Sequence, residues 1–240
     1  MINLALVGKN IQHTRSPDLY RGLLGNEIKY SLLDFSEASQ IPSAKELLST
    51  YSGVSITSPY KKHFIPEIEL TKQAALVGAI NCLKLKGGII IGENTDFLAI
   101  VDILDNWIEE FKQLKIIILG DGVMSTVTQH ALNKCSITNY QILSRKISNH
   151  FDRLNISEIF EKKFSGEGQR IVINTCSRNF IFNGQIDKKT IFWDYNYNFE
   201  QHSQSLATKT LQYVDGIKML ELQARYALAF WSIIPFDLNN

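Results

Sequence analysis

Short apolar runs alternate with amphipathic stretches along the chain, and the two periods predict strands and helices in turn. Leu4–Val7 reads as a first strand, and Ser16-Pro17 reads as a helix N-cap followed by proline at the first helical position. Leu19, Leu23 and Leu24 then continue at helical spacing. Tyr30–Leu33 is a second strand, a helical stretch covers Ser43–Leu48, and Gly53-Val54-Ser55-Ile56 is a third strand. Two further strand-like runs, Leu83–Leu85 and Ile89–Ile91, flank Lys86-Gly87-Gly88 and predict a hairpin. The longest amphipathic stretch follows, with Phe97, Ile100, Val101, Leu104, Trp107, Ile108 and Phe111 three and four residues apart. Asn94-Thr95-Asp96 at its front is capping chemistry.

Beyond that helix, which reads as a bridge between two domains, the pattern changes. Ile116-Ile117-Ile118-Leu119 is a continuous apolar run, as expected of a strand buried on both faces of a parallel sheet. Gly120-Asp121-Gly122 follows directly, then a helix around Ser125–Leu132, and strands at Tyr140–Leu143, Ile171–Ile173 and Thr190–Trp193. Met219, Leu220, Gln223, Ala224, Ala227 and Trp231 suggest a last helix returning to the first domain. The fold class is therefore α/β in two domains: an N-terminal α/β substrate domain, residues 1–98 plus 217–240, and a Rossmann-type doubly wound dinucleotide-binding domain, residues 99–216.

Composition narrows the functional classes. A chain of 240 residues has room for two domains, and 45% hydrophobic with 20% charged residues is ordinary for a globular protein. The formal net charge of +1 argues against a nucleic-acid-binding surface or a polybasic membrane patch. No apolar run has the length of a membrane span, and the N-terminal run reads as a strand rather than a leader. Three scattered cysteines and five histidines show no metal-ligand spacing, so no metal is expected and a reduced, cytoplasmic location is.

Two sets of polar residues carry the chemistry. Gly120-Asp121-Gly122-Val123-Met124-Ser125 matches G-x-G-x-x-S between a strand and a helix. Gly120 would permit the tight turn, Gly122 would let the backbone approach a pyrophosphate at the helix N-terminus, and Ser125 is small enough for close packing. The next strand ends in Ser144-Arg145-Lys146 with no acidic residue, which suits the 2′-phosphate of NADP; Asp121 stands against an anionic ligand unless it points away. In the first domain, Thr14-Arg15-Ser16-Pro17, Ser55-Ile56-Thr57-Ser58-Pro59-Tyr60-Lys61 and Asn94-Thr95-Asp96 fall at strand ends or helix starts. Their hydroxyls, carboxamide and Lys–Asp pair suit a small polyhydroxylated acid and proton transfer.

Read in order, these segments resemble the shikimate dehydrogenase family over nearly the whole chain. Thr14-Arg15-Ser16-Pro17 looks like its Ser-x-Ser-Pro, and Ser55 to Lys61 looks like its Asn-Val-Thr-x-Pro-Phe-Lys. Gly78-Ala79-Ile80-Asn81-Cys82 looks like Gly-Ala-Val-Asn-Thr, Gly92-Glu93-Asn94-Thr95-Asp96 keeps Gly-x-Asn-Thr-Asp intact, and Asp194-Tyr195-Asn196-Tyr197 is similar to Asp-x-x-Tyr. Asp215-Gly216 through Met219-Leu220 to Gln223-Ala224 matches the late Asp-Gly-x-x-Met-Leu-x-x-Gln-Ala. The resemblance implies reduction of 3-dehydroshikimate to shikimate with NADPH, in aromatic amino-acid biosynthesis, by a monomer or homodimer. It implies Lys61 and Asp96 as the catalytic pair, and Thr14, Ser16, Ser55, Thr57, Asn81, Tyr197 and Gln223 as substrate ligands. Gly120, Gly122, Ser125, Ser144, Arg145, Lys146 and Asn174 would hold the cofactor.

The departures from the family pattern gather in the cofactor half. Asp121, Val123, Met124 and Thr126 replace its Ala, Gly, Ala and basic residue, and Asn174-Thr175-Cys176-Ser177 lacks the Gly-Met that follows in the family. Two other readings therefore stay open: an enzyme of this fold acting on quinate or a related hydroxy acid, and a paralogue that binds the ligand with little hydride transfer.

Overall fold

The structure is a computed structural model that describes residues 1–148 and 150–234. Residues 235–240, the end of the expected substrate domain, lie outside it. The chain divides into two compact units, one of Met1–Ala99 with the stretch from Leu220, the other of Ile100–Met219.

The first unit contains β1 (Ile2–Gly8), α1 (Ser16–Leu24), β2 (Ile28–Asp34), α2 (Ala44–Thr50), β3 (Gly53–Ile56), β4 (Glu69–Leu70), α3 (Lys72–Val77), β5 (Cys82–Lys86) and β6 (Ile89–Glu93). The strands form one sheet in the order β2-β1-β3-β5-β6-β4. β1 runs parallel to β2 and β3, whereas β5 is antiparallel to β3 and to β6. The predicted hairpin is present, and Gly87 and Gly88 both have positive φ (59° and 83°), as the two central residues of a type I′ turn require.

Strand alternation splits the unit's core into two faces. Val7, Val54 and Ile56 pack on one side with Leu47 and Leu48 of α2, Tyr60 and Phe64. Leu4 and Cys82 pack on the other with Tyr20 of α1 and with Ala224, Ala227 and Leu228 of α8 (Ile217–Phe230), a helix whose first residues belong to the second unit. Ser43 and Glu46 form a capping box at the start of α2. Helix α1 corrects one expectation: Ser16 is its first residue, not its N-cap, and Arg15 precedes it without a side-chain cap. The Ser16 N–H instead meets the Thr14 hydroxyl at 3.3 Å. The short β4 and α3 went unpredicted, because two and six residues carry too little periodicity to register.

Helix α4 (Thr95–Phe111) begins in the first unit and ends in the second. Asn94 caps it through a 2.9 Å bond from the Phe97 N–H to Oδ1.

The second unit comprises β7 (Leu114–Leu119), α5 (Val123–Lys134), β8 (Tyr140–Leu143), α6 (Ile156–Lys163), β9 (Gln169–Asn174), β10 (Thr190–Asp194), α7 (Glu200–Leu206) and β11 (Gln212–Val214). All its strands are parallel in the order β11-β10-β9-β7-β8, so the winding reverses between β7 and β9, where doubly wound folds bind ligands. Ile116 through Leu119 are fully buried, as the unbroken apolar run requires of a central parallel strand.

A buried polar hub joins four of these elements. Oδ1 of Asp194, at the end of β10, accepts from Asn174 Nδ2 (3.0 Å) and from the Asn196 N–H (2.9 Å) and Nδ2 (2.8 Å). Its Oδ2 lies 2.5 Å from His202 Nδ1 and accepts from the Tyr213 hydroxyl at 3.2 Å. His202 Nε2 accepts the Phe182 N–H at 2.8 Å, so the ring proton sits on Nδ1 and a neutral imidazole donates to the carboxylate. With so many donors, the charge is buried without an opposite charge beside it.

Gly53 is a packing requirement. A Cβ there would fall 2.4 Å from Cδ2 of Trp231, whose Nε1 is tied to the Leu83 carbonyl at 2.9 Å. Gly53→Ala is expected to cost about 1–3 kcal/mol of unfolding free energy, read from urea denaturation. An unchanged midpoint would mean that the indole yields freely.

Candidate active site

The first unit gathers its polar groups where β1, β3 and β6 end and where α1 and α4 begin. Lys61 lies in the irregular segment after β3, and Asp96 lies in the first turn of α4. The Lys61 Nζ–Asp96 Oδ2 distance is 2.6 Å, with the two side chains 8% and 9% exposed. Neither charge would be stable in that setting without the other. The Lys61 backbone is itself held, its carbonyl accepting the Ile80 N–H at 2.8 Å.

One residue further on, Asn81 starts a relay of oriented amides. The Thr95 N–H donates to Asn81 Oδ1 at 2.7 Å, which turns Asn81 Nδ2 outward to the Thr95 hydroxyl (2.9 Å) and to Gln223 Oε1 (3.1 Å). Gln223 thus has its oxygen engaged and presents its Nε2 as a donor. Beneath this, Glu93 Oε1 accepts the Asn94 N–H and the Thr71 hydroxyl, each at 2.7 Å. Asn94 Nδ2 donates to the Ala79 carbonyl at 3.0 Å. The segments 79–81 and 93–96 are therefore laced together by side chains. Glu93 and Thr71 carry no signal of this role in the sequence, and Thr95 stands there only as the middle of the Asn-Thr-Asp run. The intact Asn-Thr-Asp run was the one available signal, and it points to Asp96 first.

The remaining substrate-site candidates of this unit are hydroxyls. Thr14 donates to Ser16 Oγ at 3.1 Å, Ser16 and Ser55 are buried, and Thr57 is half-buried with its N–H bonded to the Val7 carbonyl at 2.9 Å. Tyr197 belongs to the second unit, where the Arg178 guanidinium donates to its carbonyl (2.6 Å) and to that of Asn198 (2.9 Å).

The glycine loop of the second unit is built as the switch point demands. Gly120 has φ +108°, and a Cβ there would meet Thr175 Oγ1 at 2.7 Å, so no other residue fits without strain. Gly122 is the N-cap of α5, with open space where a Cβ would stand. The first-turn N–H groups of α5 have no acceptor within their own helix, and an anion can approach them across that glycine. Ser125 is fully buried in the first turn. Both ends of the Asn174 amide are engaged inside the unit, Nδ2 with Asp194 and Oδ1 with the Cys176 N–H at 3.1 Å.

Two basic residues follow Ser144 after β8. Both Arg145 and Lys146 are exposed, and Lys146 Nζ is 2.9 Å from Asp121 Oδ2. The hydrogen bond from Lys146 holds the Asp121 carboxyl below the usual carboxylate range, with Ser144 adding to the effect. Asp121 is thus the counter-charge of one of the two cations that the sequence assigns to a phosphate. Cys176 lies against Gly120, and burial, with Asp194 behind it, pushes its thiol up to about 12, so it is not a thiolate at neutral pH. Among the described residues no group of three or more His, Cys, Asp or Glu is placed to hold a metal ion, and no helix is long and apolar enough to cross a membrane.

Known proteins resemble this chain in sequence and in fold. Residues 6–83 match the family model described as the shikimate dehydrogenase substrate binding domain. The chain is 30% identical over 261 residues to a shikimate dehydrogenase (NADP(+)) of Staphylococcus aureus, covering 100% of this chain and 96% of that one. The crystal structure of shikimate dehydrogenase from Aquifex aeolicus superposes with a TM-score of 0.72 at 20% identity, covering 98% of this chain and 95% of that one. A quinate dehydrogenase from Corynebacterium glutamicum, in complex with NAD, superposes with a TM-score of 0.70 at 20% identity over the same shares. At that identity the two structures speak to the fold: a two-domain, Rossmann-type α/β architecture.

Burial of the ion pair sets an expectation for stability. Lys61→Met leaves the Asp96 carboxylate buried without its cation and is expected to cost about 3–5 kcal/mol in urea denaturation. The double variant Lys61→Met/Asp96→Leu is expected to recover most of that loss. A single variant as stable as the parent would show that water reaches the pair.

Proposed function

Because the chain belongs to the shikimate dehydrogenase family, we propose that it is the NADP-dependent oxidoreductase that reduces 3-dehydroshikimate to shikimate. The observation that carries this reading is the buried Lys61–Asp96 pair at 2.6 Å beside the Asn81–Thr95–Gln223 relay. A proton donor and an array of oriented hydrogen-bond groups stand together there, and carbonyl reduction on a hydroxylated ring needs both.

In this proposal Lys61 gives its proton from Nζ to the carbonyl oxygen as negative charge develops on it. Asp96 holds the ammonium in place and stabilises it between turnovers. The hydroxyls of Thr14, Ser16, Ser55 and Thr57 bind the carboxylate and neighbouring oxygens. Gln223, with Oε1 held by Asn81, offers Nε2 to a ring hydroxyl, and Asn81 keeps that amide from turning over. Tyr197 is assigned to the substrate carboxylate by the family pattern alone. The substrate domain, on this reading, is the first unit and the dinucleotide domain the second.

NADPH supplies the hydride when bound. The open approach at Gly122 and the N-terminus of α5 fit its pyrophosphate, and the exposed Arg145 fits its 2′-phosphate. Lys146 is shared with Asp121, so the phosphate competes with a carboxylate for that cation.

The primary test is nicotinamide reduction with shikimate and NADP⁺, beside quinate and NAD⁺. Turnover is expected with shikimate and NADP⁺. Turnover confined to quinate would reassign the substrate, and silence in every combination from folded protein would leave a ligand-binding paralogue. In the folded Lys61→Met/Asp96→Leu variant, turnover is expected to fall by at least about 10²–10⁴-fold, and parental turnover there would remove the pair from the chemistry. Asp121→Asn, which frees Lys146, is expected to tighten NADPH about fivefold at low salt in a fluorescence titration, with the gain shrinking as salt is added. An unaltered affinity would show that Asp121 lies outside the cofactor's field.

A further inference from the structure

In the first unit, Tyr20 carries a polar atom that its packing does not explain. The side chain is fully buried. Its ring stacks on Tyr30 with centroids 4.9 Å apart and lies 5.9 Å from Trp231. Leu4, Cys82, Ala227 and Leu228 complete the cluster. The Tyr20 hydroxyl makes no hydrogen bond in ordinary geometry. An unpaired buried hydroxyl costs about 1–3 kcal/mol, and phenylalanine would fill the same space without that cost.

The surroundings of the hydroxyl point toward the substrate groups. Ser16 and Tyr20 are the two buried residues of α1, four apart and hence one above the other on its inner face. On the sheet below, β3 places Ser55 between Leu6 of β1 and Cys82 of β5. Ser55 is the side chain within hydrogen-bonding reach of the phenol, and Asp96 adds its field from farther off. Burial first, and then the fields of Tyr30 and Cys82, hold the phenol protonated well above its ordinary range, Asp96 adding least and the Ser55 contact working in the opposite sense. It is therefore a hydrogen-bond donor at any working pH.

Ser55 stands where the family pattern has asparagine. An amide presents its donor and acceptor in a fixed plane, whereas a serine hydrogen rotates freely about the C–O bond. We propose that Tyr20 is a positioning residue, its hydroxyl donating to Ser55 Oγ and so turning the Ser55 hydrogen toward an oxygen of the bound substrate. The two hydroxyls close into bonding geometry when a substrate oxygen takes the Ser55 hydrogen, and the pair then does the work of the missing amide. The inference rests on the proposed role of Ser55 as a substrate ligand.

Tyr20→Phe is nearly isosteric and should fold. Its KM for shikimate is expected to rise about 3–10-fold, the worth of one hydrogen bond, with kcat and the KM for NADP⁺ little changed. Its thermal midpoint should be equal to the parent's or higher, because an unpaired polar atom has been removed. In a Ser55→Ala background, Tyr20→Phe should add nothing to KM. Calorimetric titration with shikimate separates the two levels of the argument. A parent protein that binds no shikimate overturns the proposed function and this inference with it. A parent that binds, beside a Tyr20→Phe variant with parental KM, overturns this inference alone. A KM effect of Tyr20→Phe that persists in the Ser55→Ala background, or that comes with a lowered midpoint, also overturns it, since the hydroxyl would then act through the fold.

Discussion

Burial of a lysine and an aspartate against each other is the constraint that the first unit is organised to meet. Two charges with side chains under a tenth exposed lose most of their hydration, and the attraction between them repays that loss only when the geometry is close. The 2.6 Å contact demands that the segment after β3 and the first turn of α4 be held rigidly with respect to each other. Backbone and side-chain bonds do this: Ile80 to Lys61, Thr95 to Asn81, Asn94 to Ala79. The same lacing fixes the direction of each amide. Stability and site geometry are thus two readings of one set of contacts.

The second unit solves a different problem. A parallel sheet leaves its carboxyl-end loops without hairpin partners, and those loops must still be held in place. Here Asp194 does so from a fully buried position, collecting donors from β9, β11, α7 and the turn after β10. The His202 ring is neutral and polarised in this network, so the hub needs no second charge. Beside it, Gly120 turns back against Thr175 with a backbone that side chains rarely adopt. This leaves the entrance to α5 open at Gly122, and the charge of Asp121, unusual in such a loop, is compensated locally by Lys146.

Most of the architecture was legible from periodicity. The apolar alternation of β1 and β3, the unbroken run of β7, the diglycine hairpin and the long α4 stretch all fall where their patterns place them, with ends shifted by a residue or a few. The misses have physical reasons. β4 and α3 are too short for a period to show, while α6, α7 and β11 are brief and lie in polar surroundings. Ser-Pro is a strong local signal and predicts Ser16 as the N-cap. The helix starts one residue earlier because the Thr14 hydroxyl already receives the Ser16 N–H.

By itself the sequence determined the elements, their buried faces and the residue types at strand ends, because strand and helix periods are local properties of the backbone. It also carried the ordered motifs that mark the family. Pairing was decided only by the tertiary structure. Asn81 and Gln223 are 142 positions apart, and nothing in either segment states that one amide will orient the other. Arg145 and Lys146 are equivalent as letters and both are exposed, yet Lys146 is paired with Asp121 from a different loop. Tyr20 reads as one more aromatic on an apolar helix face until strand order sets Ser55 beneath it. Such pairings follow from the order in which strands assemble and from the distances that order imposes, and local periodicity does not contain that information.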